Sequence, residues 1–399
     1  MKRQIQTNNI NYSRISELCD LRKGKKVNST KIKTKDSVPY LLIDTLRGEE
    51  PEFFTEDKNY TEAVPEDILI VADGANSGLV GTGVSGAVGS TILRIRINVK
   101  DLDKDYLSYF LKSKFTEFNK DMKGTGIPHL KPQKMLGSEI RKPSLSEQTL
   151  IVQEIEKQFT RLDASVKALN SVKEKLEVYR KAVLKKAFEK KNGWGESSLK
   201  DLVEGIYSGY ACGKHAKSGE GLIHFRPYNI TPKGNISYEL TKIVDPKFSD
   251  KRLNYGDVVF NNTNSQIWVG KTCAYDQKEK VGFSNHMTRI KVKDDRLNFK
   301  YLAKYLHYLF QNGFYYKIMK SHVNQSSVNI DNLEKINIIF PSLVEQLSIV
   351  QQIESKFSVI DKIEQVVETS LDKAEKLRKS ILKSAFEGKL VKTEEIANA

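Results

Sequence analysis

Cysteine is scarce in this chain. Cys19, Cys212 and Cys273 are the only three in 399 residues, and they stand far apart. An odd, scattered set builds no disulfide framework and suits reduced thiols in a cytosol. Long apolar runs are missing as well. Stretches such as Ile68–Ala72 are far too short to span a bilayer, and the mean hydropathy is −0.47. The opening Met1-Lys2-Arg3-Gln4 leads into polar Thr7-Asn8-Asn9 with no apolar core of a secretory signal. A cytoplasmic location is therefore expected. Acidic residues are outnumbered, 50 against 65 Lys+Arg, for a net charge of +15 and a pI near 9.3. That excess calls for a polyanionic partner, nucleic acid first and a membrane surface second.

Catalytic signatures are missing too. Val269-Gly270-Lys271-Thr272 resembles the end of a phosphate-binding loop, but the position of its first glycine is Ser265. Cys212-x-x-His215 has a metal-like spacing without a second local pair, so no metal is expected. The six histidines form no Ser-His-Asp or HExxH set, and there is no Asn-Pro-Pro-Tyr/Phe segment. What remains is a chain with 39% hydrophobic and 29% charged residues, a balance that supports packed cores. Its length gives two or three domains.

The chain is internally duplicated. Pro143-Ser144-Leu145 and Glu147-Gln148 recur as Pro341-Ser342-Leu343 and Glu345-Gln346. Ile151-Val152-Gln153, Phe159, Asp163, Arg180-Lys181 and Ala187-Phe188-Glu189 recur as Ile349-Val350-Gln351, Phe357, Asp361, Arg378-Lys379 and Ala385-Phe386-Glu387. The offset is 198 throughout, without a gap, and about 21 of about 47 aligned positions are identical. Upstream the match thins. Ile15-x-x-Leu18 aligns with Leu199-x-x-Leu202, Gly24 with Gly209, Tyr40 with Phe225, and Asp67-Ile68-Leu69-Ile70 with Asp257-Val258-Val259-Phe260. The layout is therefore variable domain plus constant segment, twice: residues 1–144 and 192–342 vary, and 145–191 and 343–399 are constant.

The constant segments read as helices. Ile151, Ile155, Phe159, Leu162, Val166, Leu169, Leu176 and Val183 repeat at three- and four-residue steps, as do Ile353, Phe357, Ile360, Val367, Leu371, Ala374, Ile381 and Ala385. One apolar seam on so long a helix needs a partner, and the duplicate supplies it. An antiparallel intramolecular coiled coil is predicted, with a pseudo-two-fold relation between the copies. Stops are expected at Asn192-Gly193-Trp194-Gly195 and at Gly388. The variable segments read as α/β (α+β) modules. Their strands are predicted at Ile68–Val71, Thr91–Ile97, Asp257–Phe260 and Thr288–Val292, with helices near Tyr106–Phe118 and Phe299–Phe310.

Polar loops follow the strands and suit the reading of nucleic acid. Asn and Gln match adenine edges, while Lys and Arg serve guanine and phosphates. The candidates in the first copy are Asp73, Asn76 and Ser77, together with Lys23, Lys25 and Lys26 of a basic tract. In the second copy they are Asn261, Asn262, Asn264, Gln266 and Lys271, with Tyr210 and Lys214 where the basic tract would fall. The other readings of these residues are plain turns and solvated loops.

Gly124-Thr125-Gly126-Ile127-Pro128-His129-Leu130, then Ile140-Arg141-Lys142-Pro143 and Leu145-Ser146-Glu147-Gln148, complete the pattern. The second copy has Asn324-Gln325-Ser326-Ser327-Val328-Asn329-Ile330, then Ile338-Ile339-Phe340-Pro341 and Leu343-Val344-Glu345-Gln346. With these features the chain resembles the specificity subunit of type I restriction–modification systems. The resemblance implies a non-catalytic DNA-specificity subunit with two target recognition domains, each binding half of a split double-stranded DNA site. It implies spacer helices that dock two modification subunits, for which Glu147, Gln148, Gln153, Glu345, Gln346 and Gln351 are the expected contacts. S-adenosylmethionine, ATP and Mg would then sit on partner subunits that methylate adenine or, where a restriction subunit joins, translocate and cleave DNA. No cofactor and no membrane contact is expected for this chain. The alternatives are a stand-alone DNA-binding or architectural protein and a coiled-coil interaction scaffold.

Overall fold

A computed structural model describes residues 11–118, 129–212, 221–244, 251–293 and 295–391. They form two compact units: unit 1 from Met1–Leu169 and Thr369–Ala399, unit 2 from Asn170–Glu368. Among the described residues no helix is long and apolar enough to cross a membrane.

Unit 1 starts with a one-turn helix, Ile15–Leu18, whose Ile15 and Leu18 are buried. An antiparallel sheet follows in the order Cys19–Lys23, Ile92–Ile97, Ile68–Val71, Val80–Thr82. All four residues of Ile68–Val71 are buried, so the strand is apolar on both faces, as a central strand covered on both sides requires. A second sheet runs Phe54–Thr55, Val38–Leu41, Gly86–Val88, Glu62–Ala63, and its middle pair is parallel. Helix α1, Lys104–Ser113, is capped by Asp103, whose carboxylate accepts the Tyr106 N–H at 2.8 Å.

Unit 2 repeats this plan. Leu199–Leu202 is its one-turn helix. One sheet runs Val203–Ser208, Met287–Val292, Asp257–Asn261, Thr272–Tyr275; the other runs Ile243–Val244, Leu222–Phe225, Val281–Phe283, Arg252–Leu253, again with a parallel middle pair. The weak upstream alignment has a structural basis. A Cβ on Gly24 would lie 2.1 Å from the Gly89 carbonyl oxygen, and one on Gly209 would lie 2.2 Å from that of Phe283. In each unit the second sheet passes too close for a side chain. Asp67 and Asp257 both accept a turn N–H, from Val64 at 2.9 Å and from Asn254 at 2.7 Å.

The predicted helices are present. Helix α2 spans Leu145–Ala187, α3 Phe299–Gln311 and α4 Leu343–Phe386. The helix predicted over Tyr106–Phe118 is instead α1 followed by a short turn at Phe115–Phe118. The predicted seam is buried at Ile151, Ile155, Phe159, Leu162, Leu176 and Val183 and at Ile353, Phe357, Ile360, Val367, Ala374, Ile381 and Ala385, while Val166, Leu169 and Leu371 are only half-buried. Gly388, at φ +70°, ends α4. The Lys389 N–H reaches back to Ser384 O and the Gly388 N–H to Ala385 O, which satisfies the last carbonyls.

Within unit 2 the helices run antiparallel, since Lys173 pairs with Glu368 and Arg180 with Asp361. The contacts obey the duplication. Arg180 pairs with Asp361 and covers the Phe357 ring; in unit 1 Arg378 pairs with Asp163 and covers Phe159. Phe188 packs on Tyr301 of α3, and Phe386 packs on Tyr106 of α1.

Unit 2 also buries two histidines. Burial pushes His307 down to about 3 and His224 down to about 4. Both stay neutral when folded, while the unfolded chain takes up protons below about 6.5. Their contribution is therefore complete above that pH and is lost as pH falls from about 6.5 toward about 4. Urea midpoints at pH 7 and pH 5 should show unit 2 losing stability, by at most about 1.4 kcal/mol per pH unit per histidine. His307→Gln should flatten that slope; an unchanged slope would contradict the assignment.

Candidate nucleic-acid interface

In unit 1 the loop after Ile68–Val71 is tied to three neighbours. Asp73 accepts from Lys23 Nζ at 2.9 Å and pairs with His129 Nδ1 at 2.8 Å. Desolvation opposes ionisation of Asp73, but the His129 and Lys23 hydrogen bonds and charges outweigh it and hold the carboxyl below its usual range. Backbone pairing between Asp73 and His129 fixes the arrangement, and the Leu130 N–H donates to Ala72 O at 2.7 Å. The Asn76 side-chain oxygen accepts from Arg47 at 2.8 Å. Lys25 reaches the Asn59 amide, and Lys26 is exposed. Lys23, Asp73 and His129 are thus drawn together, while Lys25, Lys26 and Asn76 are exposed or half-exposed without a direct bond to them. Ser77 does not belong to it: it is 1% exposed and its hydroxyl donates to Ala72 O.

In unit 2 the equivalent bridge is rebuilt with other side chains. Thr263–Asn264 pairs with Ser326–Ser327, which pairs with Lys320–Ser321. The Val328 N–H donates to Asn262 O at 2.9 Å, the counterpart of Leu130 with Ala72. Asn264 is half-buried and Gln266 is exposed in a short helical turn, Gln266–Trp268.

Several expected readers of DNA are structural instead. The Asn261 amide donates to Trp268 O at 2.9 Å, and Asn262 donates to Thr288 Oγ1 at 2.7 Å and to Asn285 O. Both are buried, because the strand Asp257–Asn261 continues into the core and its amides close the loop from inside. Lys271 is buried, donates to Pro227 O at 2.9 Å and to Ile230 O at 2.5 Å, and is pushed down to about 8 by that burial. It pins a turn and cannot reach a phosphate. Tyr210 is buried edge-on against His224, with ring centroids 4.7 Å apart. Lys214 and Gly124–Pro128 lie outside the described residues, as does His215. Among the described residues no group of three or more His, Cys, Asp or Glu could hold a metal.

The expected partner contacts are corrected in the same way. Gln148 and Gln346 are fully buried. Gln346 accepts the Asn298 N–H at 2.8 Å and donates to Arg296 O and Pro341 O at 2.8 and 2.9 Å. Gln148 does the same with Asp103 N, Asp101 O and Pro143 O. They are recurrent staples that cap α1 and α3 from the start of the long helices. Glu147 is held by Arg141 at 2.6 Å, and Glu345 accepts from Trp194 Nε1 at 3.3 Å. Gln153 and Gln351 are exposed.

Two features were missed. The first is the hairpin tip His322-Val323-Asn324-Gln325, exposed beside Asn264; its Asn-Gln-Ser-Ser run was the signal. The second is an apolar stripe on α4: Val359, Ile363 and Val366 are exposed by 55%, 40% and 65%. They sit at helical spacing on a face the seam does not use.

Comparison with known proteins converges on one family. A family model for the type I restriction modification DNA specificity domain matches residues 8–177 and 191–371. The type I restriction enzyme StySPI specificity subunit of Salmonella potsdam is 25% identical over 353 residues, covering 82% of this chain and 75% of that protein. The MjaVIII specificity subunit of Methanocaldococcus jannaschii is 25% identical over 386 residues, covering 88% and 86%. A chain solved in work on assembly and conformational transition of the type I R-M system superposes with a TM-score of 0.77 at 18% identity, covering 95% of this chain and 98% of that one. The HsdS subunit from Thermoanaerobacter tengcongensis gives 0.54 at 18%, covering 96% and 98%.

Proposed function

The chain belongs to the type I restriction–modification DNA specificity family, and we propose that each of its units reads one half of a split double-stranded DNA target. One observation carries this reading. Both units build the same bridge beside the same central strand, but with Asp73 and His129 in one and Thr263 and Ser327 in the other. A constant frame with different polar side chains at one position is what reading two different half-sites requires.

Specificity subunits are non-catalytic, so the chemistry falls to partners. Two modification subunits dock on the long helices, one per repeat, and bring S-adenosylmethionine for adenine methylation; a restriction subunit would add ATP- and Mg-dependent work. The exposed Val359, Ile363 and Val366 with Gln351, and the exposed Gln153 of the other repeat, support that docking better than the buried glutamines.

The division of labour is testable in the complex assembled with modification subunits. Gln266→Ala should relax one half-site only, by about 1–3 kcal/mol of discrimination. Lys26→Ala should weaken binding to all sequences and reduce the salt slope by about one. Anisotropy titrations at several salt concentrations on targets altered in either half would measure both. If Gln266→Ala affects both halves equally, the two-reader assignment fails.

A further inference from the structure

In unit 1 three side chains meet on one bridge. Asp73 and His129 pair backbone to backbone as two antiparallel segments. Their side chains meet as well: His129 Nδ1 lies 2.8 Å from Asp73 Oδ1, and Lys23 Nζ donates to Asp73 Oδ2 at 2.9 Å. The His129 side chain is nevertheless 61% exposed.

This arrangement decides which ring nitrogen carries the proton. Desolvation opposes the charge on Asp73, but the His129 and Lys23 hydrogen bonds outweigh it, so the carboxyl is ionised. An ionised carboxylate only accepts hydrogen bonds. Nδ1 is therefore the donor, and in the neutral ring Nε2 keeps a lone pair and no proton. Among the described residues no hydrogen bond reaches Nε2. The bridge thus carries a solvent-exposed acceptor of fixed direction. A neutral histidine without such a partner can place its proton on either nitrogen and discriminates poorly. Unit 2 has no equivalent. Thr263 and Ser327 stand at the paired positions there, and a hydroxyl both donates and accepts.

A fixed acceptor selects a donor. The major groove offers donors only at adenine N6 and cytosine N4, and the minor groove only at guanine N2. Two extended segments lie side by side in the bridge, and the groove that admits a two-stranded element is the major one.

We propose that His129 Nε2 accepts a hydrogen bond from an exocyclic amine in the major groove, adenine N6 or cytosine N4, and that Asp73 is the positioning residue that sets its tautomer. This role rests on unit 1 reading a half-site. Guanine O6 and thymine O4 would set one acceptor against another, so those bases are rejected at the same place.

The complex assembled with modification subunits is titrated by anisotropy at pH 8.5 on duplexes of its methylated target. Each adenine in turn is replaced by the purine analogue without N6, and each cytosine by the pyrimidinone without N4. One position in one half-site should lose about three- to tenfold in affinity, the worth of one hydrogen bond. Which analogue weakens binding identifies the base. His129→Ala, a change at an exposed side chain, should bind the parent target with that same loss and show no further loss with the analogue. Asp73→Asn should reverse the preference. Lys23 has only protons to offer, so it holds the new amide's oxygen, and the amide NH₂ faces Nδ1. The ring proton then moves to Nε2, and guanine should be preferred over adenine, or thymine over cytosine, at that one position. Three results would each overturn the proposal: no amine-dependent position coupled to His129, equal weakening of every sequence by His129→Ala, or a preference unchanged by Asp73→Asn. Coupling to guanine N2, seen with hypoxanthine in place of guanine, would also overturn it. A target that is not split would instead sink the half-site reading itself.

Discussion

Replacing Phe188 by alanine is expected to destabilise unit 2 by about 3–5 kcal/mol, the range for truncating a buried aromatic. Phe188 is 3% exposed, just beyond the end of α2. Its ring meets Tyr301, Tyr305 and Tyr308 of α3 at 5.4, 5.2 and 5.4 Å, the first two nearly edge-on. One side chain therefore fastens the long helix to the recognition domain of its unit. Domain stabilities are typically about 5–15 kcal/mol, so the loss is a large share of the total. Phe188→Leu, which keeps much of the volume, should cost less than half as much. Urea denaturation of the two variants measures the difference, and a loss below 1 kcal/mol for Phe188→Ala would contradict the packing described.

Gln346→Leu is expected to cost several kcal/mol, although it replaces a polar residue by an apolar one at a fully buried position. The leucine fills the space but abandons the Asn298 N–H and the Arg296 and Pro341 carbonyls. Each buried group left unpaired costs about 1–3 kcal/mol. Gln351→Leu, one and a half turns later on the same helix but exposed, should stay within about 0.5 kcal/mol. Thermal melts of the lone chain separate the two roles. A melt unchanged by Gln346→Leu, with weakened assembly, would restore it as a partner contact.

The duplication and the helical seam were legible because they rest on periodicity, and burial follows the seam except at half-buried Val166, Leu169 and Leu371. The central strands were legible for the same reason: Ile68–Val71 is continuously apolar. The second sheet of each unit was not. Its strands are as short as Phe54–Thr55 and Glu62–Ala63, and two residues carry no period. The site was half legible. Composition marked Asn261, Asn262, Asn264 and Gln266 as one polar cluster, but whether an amide is buried depends on what covers it, and the strand Asp257–Asn261 is covered on both faces. Asn261 and Asn262 close the loop from within; Asn264 and Gln266 remain accessible. Gln148 and Gln346 misled for a related reason. Their recurrence in both copies reflects the same backbone geometry at each helix start, which needs the same staple.

Two different readers sharing one frame should leave a bipartite methylation pattern. Sequencing of adenine methylation in DNA from a host carrying this chain with its modification subunit tests it most directly. One target made of two unlike half-sites separated by a gap of constant length is expected, and Gln266→Ala should change only one of those halves. A single uninterrupted target, or half-sites found at varying separations, would contradict it.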